Sequence, residues 1–127
     1  MNLSPPAVVE RIRRMEEAGV LLGYHAHVDP SRIGWTIEAL VRMSCHGSRC
    51  VLRDPAVREW PEIVGIDRVT GDSCSILRVI TPSMAHFESV IDRLATFGRP
   101  SSSMVLSSSL RWKALATPPD SDPAGRG

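Results

Sequence analysis

Two stretches of this 127-residue chain carry side chains whose types and spacing could do chemistry. The first is Val69-Thr70-Gly71-Asp72-Ser73-Cys74-Ser75. Backbone N–H groups around a glycine turn can hold a carboxylate, and an aspartate beside them can pair with an ammonium, so this loop suits an amino acid. Gly-Asp between two β-like runs is equally an ordinary turn. The second stretch follows Ser4. There Arg11, Arg13 and Arg14 are available to phosphates or base edges. Glu10 and Glu17 lie within salt-bridge reach of them, which would make the same surface a plain solvated face.

The other reactive side chains do not assemble by spacing. Cys45, Cys50 and Cys74 contain no CxxC pair and are odd in number, which points to free thiols in a reducing cytoplasm. His25 and His27, two apart, share one face of a strand, but a metal site needs three or four ligands. His46 is near Cys45 and Cys50 in sequence but lies across a loop boundary. No metal site and no cofactor is assigned. Cys74 with a histidine would make a nucleophile and base, yet nothing orients such a pair and no Gly-x-Ser-x-Gly is present. No catalytic residue is assigned, and the chain is not expected to be an enzyme. His86 falls on the exposed side of its helix and needs no role. Trp35, Trp60 and Trp112 read as packing residues at element ends or interfaces.

With 15 basic and 14 acidic residues the net charge is +1, so any nucleic-acid contact must come from a local patch. Apolar content of 43% supports an ordinary packed core. The N-terminus lacks an apolar signal region, and no apolar run approaches membrane-spanning length. The expectation is a soluble, cytoplasmic protein with no membrane partner.

The elements that must position these residues follow from periodicity. Ser4 caps a helix from about Pro5 to Ala18, with Val8, Ile12 and Met15 on one stripe and Gly19 as its stop. Val20 to Val28 reads as two short strands, and Ser31 to Gly34 as a linker. Thr36 to Ser44 alternates, placing Ile37, Ala39, Val41 and Met43 on one face of a strand. Asp54-Pro55 starts a short helix ending near Trp60. Glu62 to Val69 and Cys74 to Thr81 form a hairpin around Gly71-Asp72. Thr81-Pro82 caps a second helix with Met84, Phe87, Val90, Ile91, Leu94 and Phe97 on its stripe, ended by Gly98. Ser102 to Trp112 reads as the last strand, and Ala116 to Gly127 as disordered. The order β-α-β-β-α-β predicts an α+β, ferredoxin-like antiparallel sheet with two helices. The sheet face away from the helices would still carry Leu and Val, so dimerisation is the default.

The run Leu3-Ser4-Pro5-Pro6-Ala7-Val8, followed by Arg11-Ile12-Arg13-Arg14-Met15-Glu16-Glu17-Ala18-Gly19-Val20-Leu21, resembles the DNA-recognition helix of Lrp/AsnC-type transcription regulators. Gly23-Tyr24, Val28-Asp29-Pro30 and Gly34 are similar to the strands and linker that follow it. Pro61-Glu62-Ile63, Arg68-Val69-Thr70-Gly71-Asp72 and Leu77-Arg78-Val79 resemble the family's ligand-sensing module. The resemblance spans roughly Leu3 to Leu110 and rests on the order and spacing of these segments. It implies a regulator that binds double-stranded DNA through a winged helix-turn-helix, with Ser4, Pro6, Glu10, Arg11 and Arg14 toward the DNA. It also implies homodimers, often assembled into octamers, that hold an amino acid or related effector at subunit interfaces, here near Val69 to Ser75. Ser73-Cys74-Ser75 replaces the acidic or aromatic pair common after Gly-Asp, implying a smaller and less charged pocket. Family members carry two helices before the recognition helix, whereas this chain begins almost at that helix. The alternative expectation is therefore an N-terminally truncated effector sensor that does not bind DNA and assembles with full-length relatives. The expected division is a partial winged helix-turn-helix over 1–30, a linker at 31–34, a ferredoxin-like ligand-sensing and oligomerisation domain over 35–113, and a disordered tail over 114–127.

Overall fold

The computed structural model describes residues 4–45 and 48–119; His46 and most of the expected tail lie outside the described residues. Ser4 opens helix α1, Pro5–Glu17, by accepting the Ala7 N–H on its side-chain oxygen at 3.4 Å. Pro5 and Pro6 occupy the first turn, where the chain needs no donor. The apolar stripe forms as the spacing predicts, but nothing among the described residues covers it: α1 has no buried residue, and Val8, Ile12 and Met15 remain 40%, 37% and 38% exposed. Residues 20–28, expected as two strands, take no regular structure. Their backbone groups join no ladder of this sheet, and a strand exists only through such pairing. The expected linker is a single 3-10 turn, Pro30–Ile33, capped by Asp29, whose carboxylate accepts the Ser31 N–H at 3.0 Å.

Strand β1, Ile37–Cys45, alternates as its sequence demands, with Ala39, Val41 and Met43 fully buried on one face. The short helix expected after it is a 3-10 turn, Pro55–Glu59, with Asp54 as its cap. Five residues closed off by Pro61 are too few to nucleate an α-helix. Its Val57 nonetheless seals the core beside Val51. Strands β2, Ile63–Arg68, and β3, Ser75–Thr81, form the hairpin, with a register irregularity between Ile63 and Gly65. The second helix, α2, is Met84–Leu94 and is capped by Ser83 rather than Thr81. It stops one turn before Phe97, which is buried below its end. Phe87, Val90 and Leu94 press into the sheet against Leu77 and Val79.

The final strand differs most from expectation. Strand β4 is Gly98–Met104, not Ser102 to Trp112. It pairs antiparallel with β1, and the sheet order is β2-β3-β1-β4, the ferredoxin-like arrangement. Gly-Arg-Pro-Ser-Ser-Ser carries no apolar alternation because β4 is an edge strand, where polar residues and a proline are tolerated. The alternating run beyond it finds no strand to pair with among the described residues, and Leu106 is 95% exposed. That run instead crosses the outer face of the sheet. The Val105 N–H donates to the Glu38 carbonyl at 2.9 Å, and Arg111 reaches the Glu38 carboxylate at 3.3 Å. Trp112 lies against His27, ring centroids 4.8 Å apart.

Gly98 is fixed by a close approach. A Cβ there would stand 2.1 Å from the Ser44 carbonyl oxygen, so backbone rather than a movable side chain blocks it. Gly98→Ala is expected to lower stability by about 1–3 kcal/mol, the cost of forcing atoms into a packed contact. Gly23→Ala, with nothing within 4 Å, should fall within about 0.5 kcal/mol of the parent. Urea unfolding of the two variants checks the contrast.

Candidate functional site

The Val69–Ser75 stretch is a loop held at both ends. The Val69 N–H donates to the Cys74 carbonyl at 3.1 Å, leaving four residues, Thr70 to Ser73, in the turn rather than a two-residue hairpin. Gly71 takes φ +108°, a conformation that other residues rarely adopt. At the far end, the Cys74 N–H donates to the Met43 carbonyl at 2.8 Å, stitching the loop to β1. Thr70, Gly71 and Asp72 are exposed, Val69, Ser73 and Cys74 half-buried, and Ser75 buried. The loop thus leaves three residues, one of them a carboxylate, at the surface.

Below the loop, the structure corrects the expectation of three free thiols. Cys45 and Cys50 form a disulfide, and Cys74 is the free cysteine. The Cys74 sulfur stands 2.6 Å from that of Cys45 and 3.9 Å from that of Cys50, and it donates to the Met43 carbonyl at 3.2 Å. Residue spacing could not reveal this. Cys45 ends β1, and Met43 pairs with Ser75, so the strand register carries the start of β3 to the end of β1. The three cysteines line a cavity of about 490 Å³ together with Leu52, Arg53 and Arg68. His25 and His27, by contrast, lie on irregular chain with ring centroids 5.8 Å apart and do not join a metal-ligating cluster among the described residues.

The proposed DNA-facing residues sit on one exposed helix. Ser4 is its cap and Pro6 lies in its first turn. Glu10 is engaged twice, by Arg13 at 2.6 Å and by Arg14 at 3.2 Å, and Arg13 also pairs with Glu17. The guanidinium of Arg13, then that of Arg14, holds the Glu10 carboxyl below its ordinary range. Arg11 forms no ion pair among the described residues.

Comparison with known proteins decides which family this geometry serves. The sequence pattern that describes the Lrp/AsnC ligand binding domain matches residues 38–114. The chain belongs to the Lrp/AsnC family. Its relatives include an HTH-type transcriptional regulator of Mycobacterium tuberculosis, Rv2324, 39% identical over 113 residues that cover 84% of this chain and 75% of the relative. Among solved structures, a transcriptional regulator from Neisseria meningitidis in complex with L-methionine superposes with a TM-score of 0.79 at 28% identity, over 90% of this chain and 78% of that one. The feast or famine regulatory protein Rv3291c of M. tuberculosis, also complexed with L-methionine, gives 0.76 at 25% identity, over 89% and 79%. Lrp/AsnC proteins of this kind are transcriptional regulators, not enzymes.

Within the Lrp/AsnC domain of this chain, one polar cluster escaped the sequence reading. Glu62 is only 6% exposed, and its carboxylate meets the His86 Nε2 at 2.7 Å, so His86 does have a partner. The other carboxylate oxygen has no hydrogen bond; Arg93 lies 3.7 Å from it and stacks its guanidinium 3.8 Å over the Trp60 ring. His86 is 24 residues from Glu62, and no local pattern joins them. Burial pushes the Glu62 carboxyl up, but the His86 and backbone hydrogen bonds and the nearby charges outweigh it, leaving it below its ordinary 4.5. A carboxyl depressed in the folded state stabilises it fully above about pH 4.5, and that contribution is lost as pH falls through the folded value. His86→Ala is therefore expected to cost about 1–3 kcal/mol at neutral pH, the penalty of a buried acceptor left unpaired. The deficit against the parent should shrink in acid. Denaturant unfolding at pH 7 and at successive steps down through the acid range reads both.

Proposed function

We propose that this chain is an Lrp/AsnC-type transcription regulator that docks α1 on double-stranded DNA in the cytoplasm and responds to an amino acid or related small effector at a subunit interface. The observation that carries this reading is the match of the ligand binding domain over 38–114, joined to two structural neighbours that hold L-methionine. On the DNA side, the Ser4 hydroxyl accepts the Ala7 N–H and would donate its own proton to a phosphate. Arg11 is ready for a phosphate or base edge, Arg14 would exchange Glu10 for a phosphate, and Glu10 would accept from a cytosine amino group. Pro6 sets the helix start at the backbone.

On the effector side, the N–H groups around Gly71 would take the carboxylate and Asp72 the ammonium. Val69, Thr70, Ser73, Cys74 and Ser75 would shape the pocket, with a second subunit completing it. That arrangement suits homodimers, and higher rings such as octamers when dimers share further faces. An effector that binds one arrangement better than another shifts the assembly, and DNA affinity with it.

A second reading has its own support: Glu10 occupies two of the three arginines of α1, which favours a sensor that assembles with DNA-binding relatives and makes no DNA contact itself.

Fluorescence anisotropy of the full chain on its own upstream DNA, with a salt titration and with L-methionine added, separates the two. The regulator should bind saturably and weaken with salt. Arg11→Ala with Arg14→Ala should lower affinity several-fold and reduce the salt slope by about 2, one per lost phosphate contact. No binding at low salt by a folded oligomer selects the sensor.

A further inference from the structure

Cys45, Cys50 and Cys74 come from three separate places: the end of β1, the turn before the Pro55–Glu59 segment, and the start of β3. Their sulfurs all fall within 4.8 Å of one another. Cys50 is buried, and the other two are half-buried. We propose that, when the Cys45–Cys50 bond is reduced, these three thiolates bind one thiophilic cation of the Zn²⁺ or Cu⁺ type.

The donor set decides the chemistry. Thiolates select soft and borderline ions over Mg²⁺ or Ca²⁺, which require oxygen. A tetrahedral ion about 2.3 Å from each sulfur spreads the sulfurs to about 3.8 Å. Cys50 and Cys74 already stand 3.9 Å apart. Once the bond between Cys45 and Cys50 opens, side-chain rotation alone can carry the Cys45 sulfur to the third corner, since the Cα atoms of that pair are 5.2 Å apart. No His, Asp or Glu joins the cluster among the described residues, so a Zn²⁺ ion would keep one position for water and Cu⁺ would be trigonal. Three thiolates around Zn²⁺ leave a net charge of −1, and Arg53 and Arg68 on the same cavity wall favour that anion. The Met43 carbonyl, now accepting from Cys74, would lose the S–H and keep the Cys74 N–H.

The chemistry balances. A phosphine reductant and water convert the disulfide to two thiols and the phosphine oxide. Three thiols and Zn²⁺ then give the trithiolate and three released protons. Oxidation would withdraw two of the three ligands, so the oxidised chain has no complete site. The inference does not rest on the effector reading, because metal uptake is measured without an amino acid present.

The test is Zn²⁺ and Cd²⁺ titration of the phosphine-reduced full chain against a chromophoric chelator. Cd²⁺ also reports through its thiolate charge-transfer band, and a disulfide reagent counts reactive thiols. Expected are one ion per chain, three reactive thiols without metal and protection of all three with it, and no uptake by the oxidised chain or from Mg²⁺. Cys74→Ser should weaken Zn²⁺ by more than about 100-fold, beyond the cost of losing a supporting neighbour alone. Cys74→Ala, checked for folding by circular dichroism, should do the same if the serine variant misfolds. A folded, reduced parent that takes up no Zn²⁺ or Cd²⁺ overturns the proposal, as does unchanged affinity in both Cys74 variants.

Discussion

Seven residues of β1 pair with β3 on one edge, and seven pair with β4 on the other. Because side chains alternate along a strand, this double register admits no slip: moving β1 by one residue would turn Ala39, Val41 and Met43 out to solvent and drive Glu38 and Arg42 into the core. The burial of those three residues thereby sets where every neighbouring element must lie. The hairpin loop hangs from the Met43 carbonyl, the sulfur cluster forms where β1 ends, and α2 finds its seat on Leu77 and Val79. The loop, the sulfur cluster and the seat of α2 are consequences of where one strand sits, not independent constructions.

The two ends of the chain show what happens without such a partner. Helix α1 has a cap, a proline-led first turn and a clear apolar stripe, so its local instructions agree with one another. They make a helix but not a packed one, because most helical stability in proteins comes from burying a face rather than from propensity. The 105–112 run has the alternation of a strand without a ladder, and it lies across the sheet held mainly by Glu38 and the His27–Trp112 contact. Both segments keep apolar surface in water that a further chain surface could cover.

How much of this was legible follows from the range of each interaction. β1, the hairpin and α2 were readable because a buried face writes its period into consecutive residues, as Ala39, Val41 and Met43 or Phe87, Val90 and Leu94 do. β4 is misplaced by the sequence reading because an edge strand carries no such period, while the louder pattern from Leu106 to Trp112 belongs to chain that joins no ladder among the described residues. The two candidate sites, α1 and the Gly71 loop, rest on local turn and helix signals and on family resemblance, and the fold leaves both exposed. The Glu62–His86 contact and the meeting of Cys45, Cys50 and Cys74 were invisible, since each depends on register between segments 24 or 29 residues apart. Composition even pointed the wrong way for the cysteines, because an odd count without CxxC says nothing about where the fold will bring them.

The loop from Thr70 to Ser73 has a further consequence, for how such a domain can change over generations. Its two anchoring bonds use backbone groups of Val69, Cys74 and Met43, so the tether does not depend on which side chains lie between. Lengthening a surface loop is cheap, about 0.6 kcal/mol for each doubling. Apart from Gly71, whose positive φ restricts replacement, the turn can accept new residues or insertions without disturbing the core. The scaffold and the loop it carries are thus separable under mutation: descendants of this chain can acquire a new loop surface while inheriting the sheet intact.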